Sequence, residues 1–231
     1  MDAETLVTLA RVAERSERYD EMAKFMKQRV EMGPVLNPEE RDMFSAAYKN
    51  SLTERRVAVR VADGVEQMEI AEGREAYASL AKGYRSKVEA ELQSICEDAL
   101  SLLRNSLVPN AEAGEAKTFY LKMQGDYFRY LAEWNRNDSK MTIAGEASTA
   151  YQEGLHEARE LPPAHPVRLG LALNFSVFQH EVLKDTESAI ATATEALTMA
   201  SDSVDQIPEE SRNDSLITMQ LLSDNLQLWS Q

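Results

Sequence analysis

Apolar residues recur at three- and four-residue intervals along nearly the whole chain and seldom alternate, so the pattern predicts helices rather than strands. Leu6, Leu9, Ala10 and Ala13 predict a first helix over about 2–16, followed by a polar corner at 15–20 and a second short helix to Met32. Gly33-Pro34 stops that helix. Asn37-Pro38-Glu39-Glu40 then combines a capping side chain, proline at the first helical position and acids in the first turn, which is a strong start signal. The third helix is expected to be long, with Met43, Ala47, Leu52, Val57, Val61, Val65 and Met68 as its apolar positions up to a polar patch at 69–75. Further helices are expected over about 76–107, 112–134, 140–160, 167–184, 185–203 and 208–229, divided by 108–110, by the loop 135–139 and by Leu161-Pro-Pro-Ala-His-Pro166. Nine helices on short connectors predict antiparallel neighbours in an all-α, solenoid-like domain spanning 1–231. The helices differ too much in length to form a fixed repeat.

Composition sharpens this reading. The 231 residues include only 9 Gly and 7 Pro, and β-branched runs are scarce, so strands have little to be made from. The formal charge is 25 − 39 = −14, which argues against a nucleic-acid or anionic-membrane surface as partner. No basic segment leads into an apolar core at the start and no apolar run approaches membrane length, so a cytoplasmic protein is expected. Cys96 sits in an apolar helical context and reads as a packing thiol.

Against so acidic a background, local groups of cations carry information. Lys122 and Arg129 stand seven apart, within roughly 20° on a helix, with Asp126 between them on the same face. Lys49, Arg56 and Arg60 form a second stripe at spacings of seven and four. Like charges stacked in this way repel by a few tenths of a kcal/mol per pair, so the stripes are either solvated faces or sites for an anion. Two later stripes mix aliphatic residues with one amide: Leu173, Asn174, Val177 and Glu181, and then Leu221, Leu222, Asn225, Leu228 and Trp229. Each suits a core face, or a groove in which the amide pins an extended peptide backbone.

Several blocks together resemble one known family. Arg18-Tyr-Asp-Glu-Met22, Ala47-Tyr-Lys-Asn50, Arg55-Arg56, Phe119-Tyr-Leu-Lys-Met-Gln-Gly-Asp-Tyr-Phe-Arg-Tyr-Leu-Ala-Glu133, His165-Pro-Val-Arg-Leu-Gly-Leu-Ala-Leu-Asn-Phe-Ser-Val-Phe178 and Met219-Gln-Leu-Leu-Ser-Asp-Asn-Leu226 look like the signature blocks of 14-3-3 proteins, in the family's order. The resemblance implies a nine-helix, cup-shaped subunit that binds phosphoserine or phosphothreonine peptides in an amphipathic groove, a mode known to use arginine clusters. It implies dimerisation through helices within about 1–107, the rest of the groove coming from 112–231, and phosphorylated client proteins as partners of a homodimer or a heterodimer with a paralogue. Motif by motif, Lys49, Arg56 and Arg129 would grip the phosphate and Tyr130 would donate its hydroxyl. Arg60, Lys122 and Asp126 would support them. Asn174 and Asn225 would hold the peptide backbone beside Leu173, Val177, Leu221 and Leu228, with Glu181 and Trp229 at the edge. Across the dimer, Arg18 would reach Glu91 and Glu21 would reach Lys87, with Leu9, Val12 and Tyr84 carrying more of the interface.

The departures also matter. Val57-Ala58-Val59 stands where the family usually reads Ser-Ser-Trp, so a serine proposed to control dimer assembly by phosphorylation is missing. Gln179-His180 replaces two tyrosines before Glu181, and Ser223 replaces a frequent arginine. No nucleophile sits beside a base, so no enzyme activity and no cofactor are expected. Glu153 and His156 have the spacing of a helical di-iron ligand pair, but a second copy is lacking. A helical scaffold for unphosphorylated partners shares the same fold class.

Overall fold

A computed structural model describes residues 1–135 and 139–230. Residues 136–138 of the expected 135–139 loop therefore lie outside the described residues. The elements are α1 (Ala3–Arg15), α2 (Tyr19–Met32), α3 (Pro38–Ala71), α4 (Glu75–Leu102), α5 (Glu115–Trp134), α6 (Ser139–Glu157), α7 (Pro166–Glu181), α8 (Thr186–Ser201) and α9 (Glu209–Trp229). Among the described residues there is no strand, so the fold is all-α with nine α-helices. The chain divides into two compact units, Met1–Leu107 and Val108–Gln231.

In the first unit, α1 begins where the Asp2 side chain accepts from the Thr5 amide at 2.8 Å. Asn37, the capping residue expected at the start of α3, forms a capping box with Glu40, each side chain accepting from the other's backbone N–H, at 2.9 and 3.0 Å. Glu40 is buried and also accepts from Arg29 Nε and Nη2 at 2.8 and 2.9 Å, while the same guanidinium donates to the Gly33 and Val35 carbonyls. One ion pair thus ties the end of α2, the turn and the first turn of α3 together. The core comprises Leu6 and Ala10, Met22 and Met26, Phe44, Tyr48 and Leu52, and Val88, Leu92 and Cys96. Burial pushes the Cys96 thiol up to about 12, so it stays protonated and inert.

Two details of this unit differ from the sequence pattern. Val57, Val61, Val65 and Met68 are not the core face of α3. They are exposed, and Val59, Ala62 and Glu66 are buried instead, because α4 packs on that side and its buried Arg85 pairs with Glu66 at 3.0 Å and Asp63 at 2.9 Å. α3 runs through Gly64 and ends at Ala71, with Glu72 as its cap and Gly73 at φ +72° just beyond. The helix expected to run to 107 ends as an α-helix at Leu102 and continues as a π-helical turn, Leu103–Leu107, that keeps both terminal leucines fully buried.

In the second unit α5 starts at Glu115 rather than at 112. Gly114 adopts φ +86°, and its amide donates to the Glu157 carboxylate at 2.7 Å, so the helix is held at its first turn by α6. His165 Nδ1 accepts from the Val167 amide at 3.3 Å with Pro166 at the first position of α7, and Asp185 caps α8 through Ser188. Tyr151 of α6 is fully buried between α5 and α7, with its ring 5.5 and 5.4 Å from those of Phe175 and Phe178. A second cluster joins α7, α8 and α9 through Leu169, Ala193, Ala200 and Leu222, with Leu173, Leu226 and Trp229 packed against it.

The Tyr151 ring lies so close to α5 that a Cβ at Gly125 would stand 2.6 Å from it. Gly125→Ala is expected to destabilise the protein by about 1–3 kcal/mol, because Tyr151 has no room to retreat. Gly145→Ala, at an exposed position of α6 where nothing lies within 4 Å, is expected to stabilise it by about 0.5–1 kcal/mol. Urea unfolding midpoints of the two variants should move in opposite directions.

Candidate functional site

The α5 stripe is built around a buried carboxylate. Asp126 Oδ1 accepts from the Tyr151 hydroxyl at 2.6 Å and from Asn174 Nδ2 at 2.8 Å. Its Oδ2 accepts from Lys122 Nζ at 3.0 Å and from the same Asn174 amide at 2.9 Å. Arg129 Nη2 stands 3.7 Å from Oδ1, and Arg129 Nε donates to the Tyr151 oxygen at 3.3 Å. The guanidinium also lies over the Tyr130 ring, 4.5 Å from its centroid. Helical spacing accounts for Lys122, Asp126 and Arg129 sharing a face, while α6 and α7 supply Tyr151 and Asn174.

The electrostatics follow from this arrangement. Burial alone would raise the Asp126 pKa, but the charges of Lys122 and Arg129 and the hydrogen bonds from Tyr151 and Lys122 outweigh it, and the carboxyl is held below its ordinary range. Burial likewise works against the Arg129 charge and is overcome by Tyr151, Asp126 and Tyr130, so the guanidinium is held above its usual range. Burial and the Asp126 charge push the Tyr151 phenol well up, which keeps it protonated and donating. The result is a permanent anion holding a permanent cation in one orientation.

Tyr151 is the member of this network that sequence reasoning missed. It lies 25 residues from Asp126, and its helix carries no charge pattern that would mark it. Asn174, expected to hold a peptide backbone, directs its amide nitrogen at both carboxylate oxygens of Asp126, a contact that leaves its carbonyl oxygen to accept. Leu173 and Val177 are half-buried on α7, and Glu181 is exposed.

The α9 stripe separates into two faces. Leu222 is fully buried in the core, whereas Leu221 and Leu228 are 47% and 66% exposed and Asn225 is half-buried. Trp229 packs against the α7–α8–α9 cluster and stacks on His180, with ring centroids 5.0 Å apart. His180 Nδ1 also lies 3.1 Å from the Thr186 hydroxyl, so one of the departures from the family pattern is part of the joint between these helices.

In the first unit, Lys49 and Arg60 are exposed along α3 and Arg56 is half-buried between them. The adjacent Arg55 is committed elsewhere. It donates to both Asp20 carboxylate oxygens at 2.8 Å, to the Ser51 carbonyl and, at 3.4 Å, to Glu91. Within the single chain Arg18 pairs with Glu21, so an intersubunit contact from either would have to exchange that partner. Val12 and Tyr84 are 56% and 57% exposed, Leu9 is half-buried, and Lys87 and Glu91 are exposed.

Among the described residues no group of three His, Cys, Asp or Glu is placed to hold a metal ion. No described helix is long and apolar enough to cross a membrane.

Comparison with known proteins bears on the whole chain. The family model described as 14-3-3 protein matches residues 9–230. The chain is 46% identical to 14-3-3 protein 2 of Entamoeba histolytica over 227 residues, 98% of this chain and 95% of that one. It is 48% identical to human 14-3-3 protein beta/alpha over 231 residues, 100% of this chain and 93% of that one. With the signature blocks in order and the match running almost from end to end, the chain belongs to the 14-3-3 family.

Proposed function

We propose that this protein is an adaptor that binds phosphoserine and phosphothreonine peptides of client proteins, works as a dimer, and performs no chemistry on the phosphate. Membership of the 14-3-3 family supports a phosphopeptide-binding adaptor role in general terms. In the finer reading, Lys49 and Arg56 of α3 and Arg129 with Tyr130 of α5 take the phosphate, supported by Arg60, Lys122 and Asp126. Leu173, Asn174, Val177 and Glu181 of α7 and Leu221, Asn225, Leu228 and Trp229 of α9 take the flanking peptide.

The observation that carries this reading is the Arg129 guanidinium, buried and aimed in advance by Asp126, Tyr151 and Tyr130. A phosphate carries about −1.5 to −2 charges and three strong acceptors, which guanidinium forks match in pairs. Each such charge-assisted hydrogen bond contributes roughly 1.5–3 kcal/mol, so three or four make the phosphate decisive. Preorganisation lowers the cost of ordering Arg129 at the moment of binding.

Dimer formation is supported by the first unit's exposed apolar residues at helical spacing. These are Val57, Val61 and Val65 on α3, at 53%, 61% and 39% exposure, and Tyr77, Leu80 and Tyr84 on α4, at 61%, 71% and 57%. Such stripes mark interfaces, and they outweigh exposed ion pairs, which contribute at most about 1 kcal/mol each. Two sites in one dimer would raise avidity for doubly phosphorylated clients by roughly 10² to 10⁴.

A phosphoserine peptide of the type Arg-Ser-X-pSer-X-Pro is expected to bind at about micromolar affinity, near 8 kcal/mol, and its unphosphorylated twin far more weakly. Fluorescence anisotropy with both peptides tests this, and equal binding would overturn the assignment. Lys49→Glu and Arg56→Ala should abolish binding with helicity by circular dichroism unchanged.

The pH dependence follows from the network. A carboxyl depressed in the folded state, such as Asp126, stabilises fully above its ordinary pKa near ~4 and loses that contribution only as pH falls through its lowered value. Between pH 7.5 and 5 Asp126 and Arg129 therefore keep their charges, and affinity should fall because the dianionic peptide phosphate takes up a proton near pH ~6. Phosphorus NMR should show the bound phosphate titrating below the free one; an unshifted titration would contradict contact with the cations.

Light scattering at low micromolar concentration is expected to report twice the chain's 25.9 kDa. Leu80→Asp with Tyr84→Asp should convert the dimer to monomer, and a monomeric parent protein would refute the interface.

A further inference from the structure

On the second unit, between α6, α7 and α8, lies a cleft of about 290 Å³ whose residues are all distinct from those assigned to the phosphopeptide. Its floor is the buried Leu169 and Ala172, flanked by the half-buried Leu155 and Ala196 and the exposed Met199. Its rim is charged: Arg159 from the 3-10 turn Ala158–Glu160, Arg168 from α7 and Glu195 from α8, with His156 beside them. Arg168 is held in place rather than waving in solvent. Its Nη1 donates to the Leu161 carbonyl at 2.7 Å, and its Nη2 lies 4.0 Å from Met199 Sδ. Burial lowers the Arg168 pKa; Glu195 opposes that, and the like charge of Arg159 adds to it. Two guanidiniums and one carboxylate thus line the cleft, on a chain whose net charge is −14.

We propose that this cleft binds a small organic monoanion, an aromatic or medium-chain carboxylate, with its carboxylate between Arg159 and Arg168 and its apolar body on the floor. Charge complementarity selects the class of ligand. Two permanent cations and one carboxylate leave a local excess of one positive charge, which a monoanion balances and a neutral molecule does not. Size selects it again. The volume lies just below the roughly 300–1,000 Å³ range of small-molecule pockets, which suits a compact ligand and is too small for a helix or a folded partner. The combination of an apolar floor with a few converging polar groups is the usual make-up of such sites.

The test uses 2-naphthoate and its uncharged counterpart 2-naphthalenemethanol as probes of the full chain, by saturation-transfer NMR and calorimetry. The acid should bind at least about tenfold more tightly than the alcohol. Arg159→Gln, a change at an exposed position, should weaken the acid several-fold. Glu195→Gln should strengthen it several-fold, an opposite response that loss of folding cannot imitate. Lys49→Glu and saturation with phosphopeptide should leave it unchanged. No detectable binding, equal binding of acid and alcohol, indifference to both rim substitutions, or loss in Lys49→Glu would each overturn the proposal, the last by showing that the acid occupies the phosphopeptide residues instead.

Discussion

A carboxylate taken out of water has to be matched by donors and cations on every side, and the second unit is assembled around one such group, Asp126. Its two oxygens take hydrogen bonds from Tyr151 of α6, Asn174 of α7 and Lys122 of α5 itself, and Arg129 stands one turn further along the same helix. Three helices are therefore registered by one anion. The same arrangement explains Gly125: the tyrosine that reaches Asp126 lays its ring against the α5 backbone, where no side chain fits. Removing the carboxylate would leave Arg129 buried without its counter-charge, a loss of about 3–5 kcal/mol in comparable buried pairs. Structure and proposed function thus rest on one interaction, since the group that registers the helices also aims the guanidinium.

The first unit solves a different problem with similar means. The long α3 needs a defined start, which the Asn37–Glu40 capping box provides, and a defined partner, which Arg85 of α4 secures through Asp63 and Glu66. Arg55 and Arg56 stand side by side in sequence, and the fold sends them to different duties. Arg55 is spent on Asp20, Glu91 and the Ser51 carbonyl, while the 100° turn to the next residue leaves Arg56 on the stripe with Lys49 and Arg60. The valines at 57, 61 and 65 remain outside, an apolar surface that a single chain does not cover.

Much of the helical pattern was legible because its signals are local. The Asn37-Pro38 start, the Gly33-Pro34 stop and the pairing of Lys122 with Asp126 and Arg129 depend only on residues within two turns of one another. The assignment of faces was less legible. Val57, Val61 and Val65 fit a core stripe as well as Val59 and Ala62 do, and only the packing of α4 decides between them. The same holds on α9, where Leu221 and Leu222 are equally apolar and one is exposed while the other is fully buried.

The linear chain by itself determined the helical class, most of the helix boundaries, the two cationic stripes and, through blocks of consecutive residues, the family. These follow from periodicity, capping and charge spacing, which act over a few residues. Tertiary structure alone decided that Tyr151 and Asn174 converge on Asp126, that Asn174 commits its amide there, and that His180 stacks on Trp229. Those contacts join residues 25 to 49 positions apart, on helices whose sequences give no sign of each other, and they exist because burying a charge or a ring is stable only when partners from separate elements arrive together.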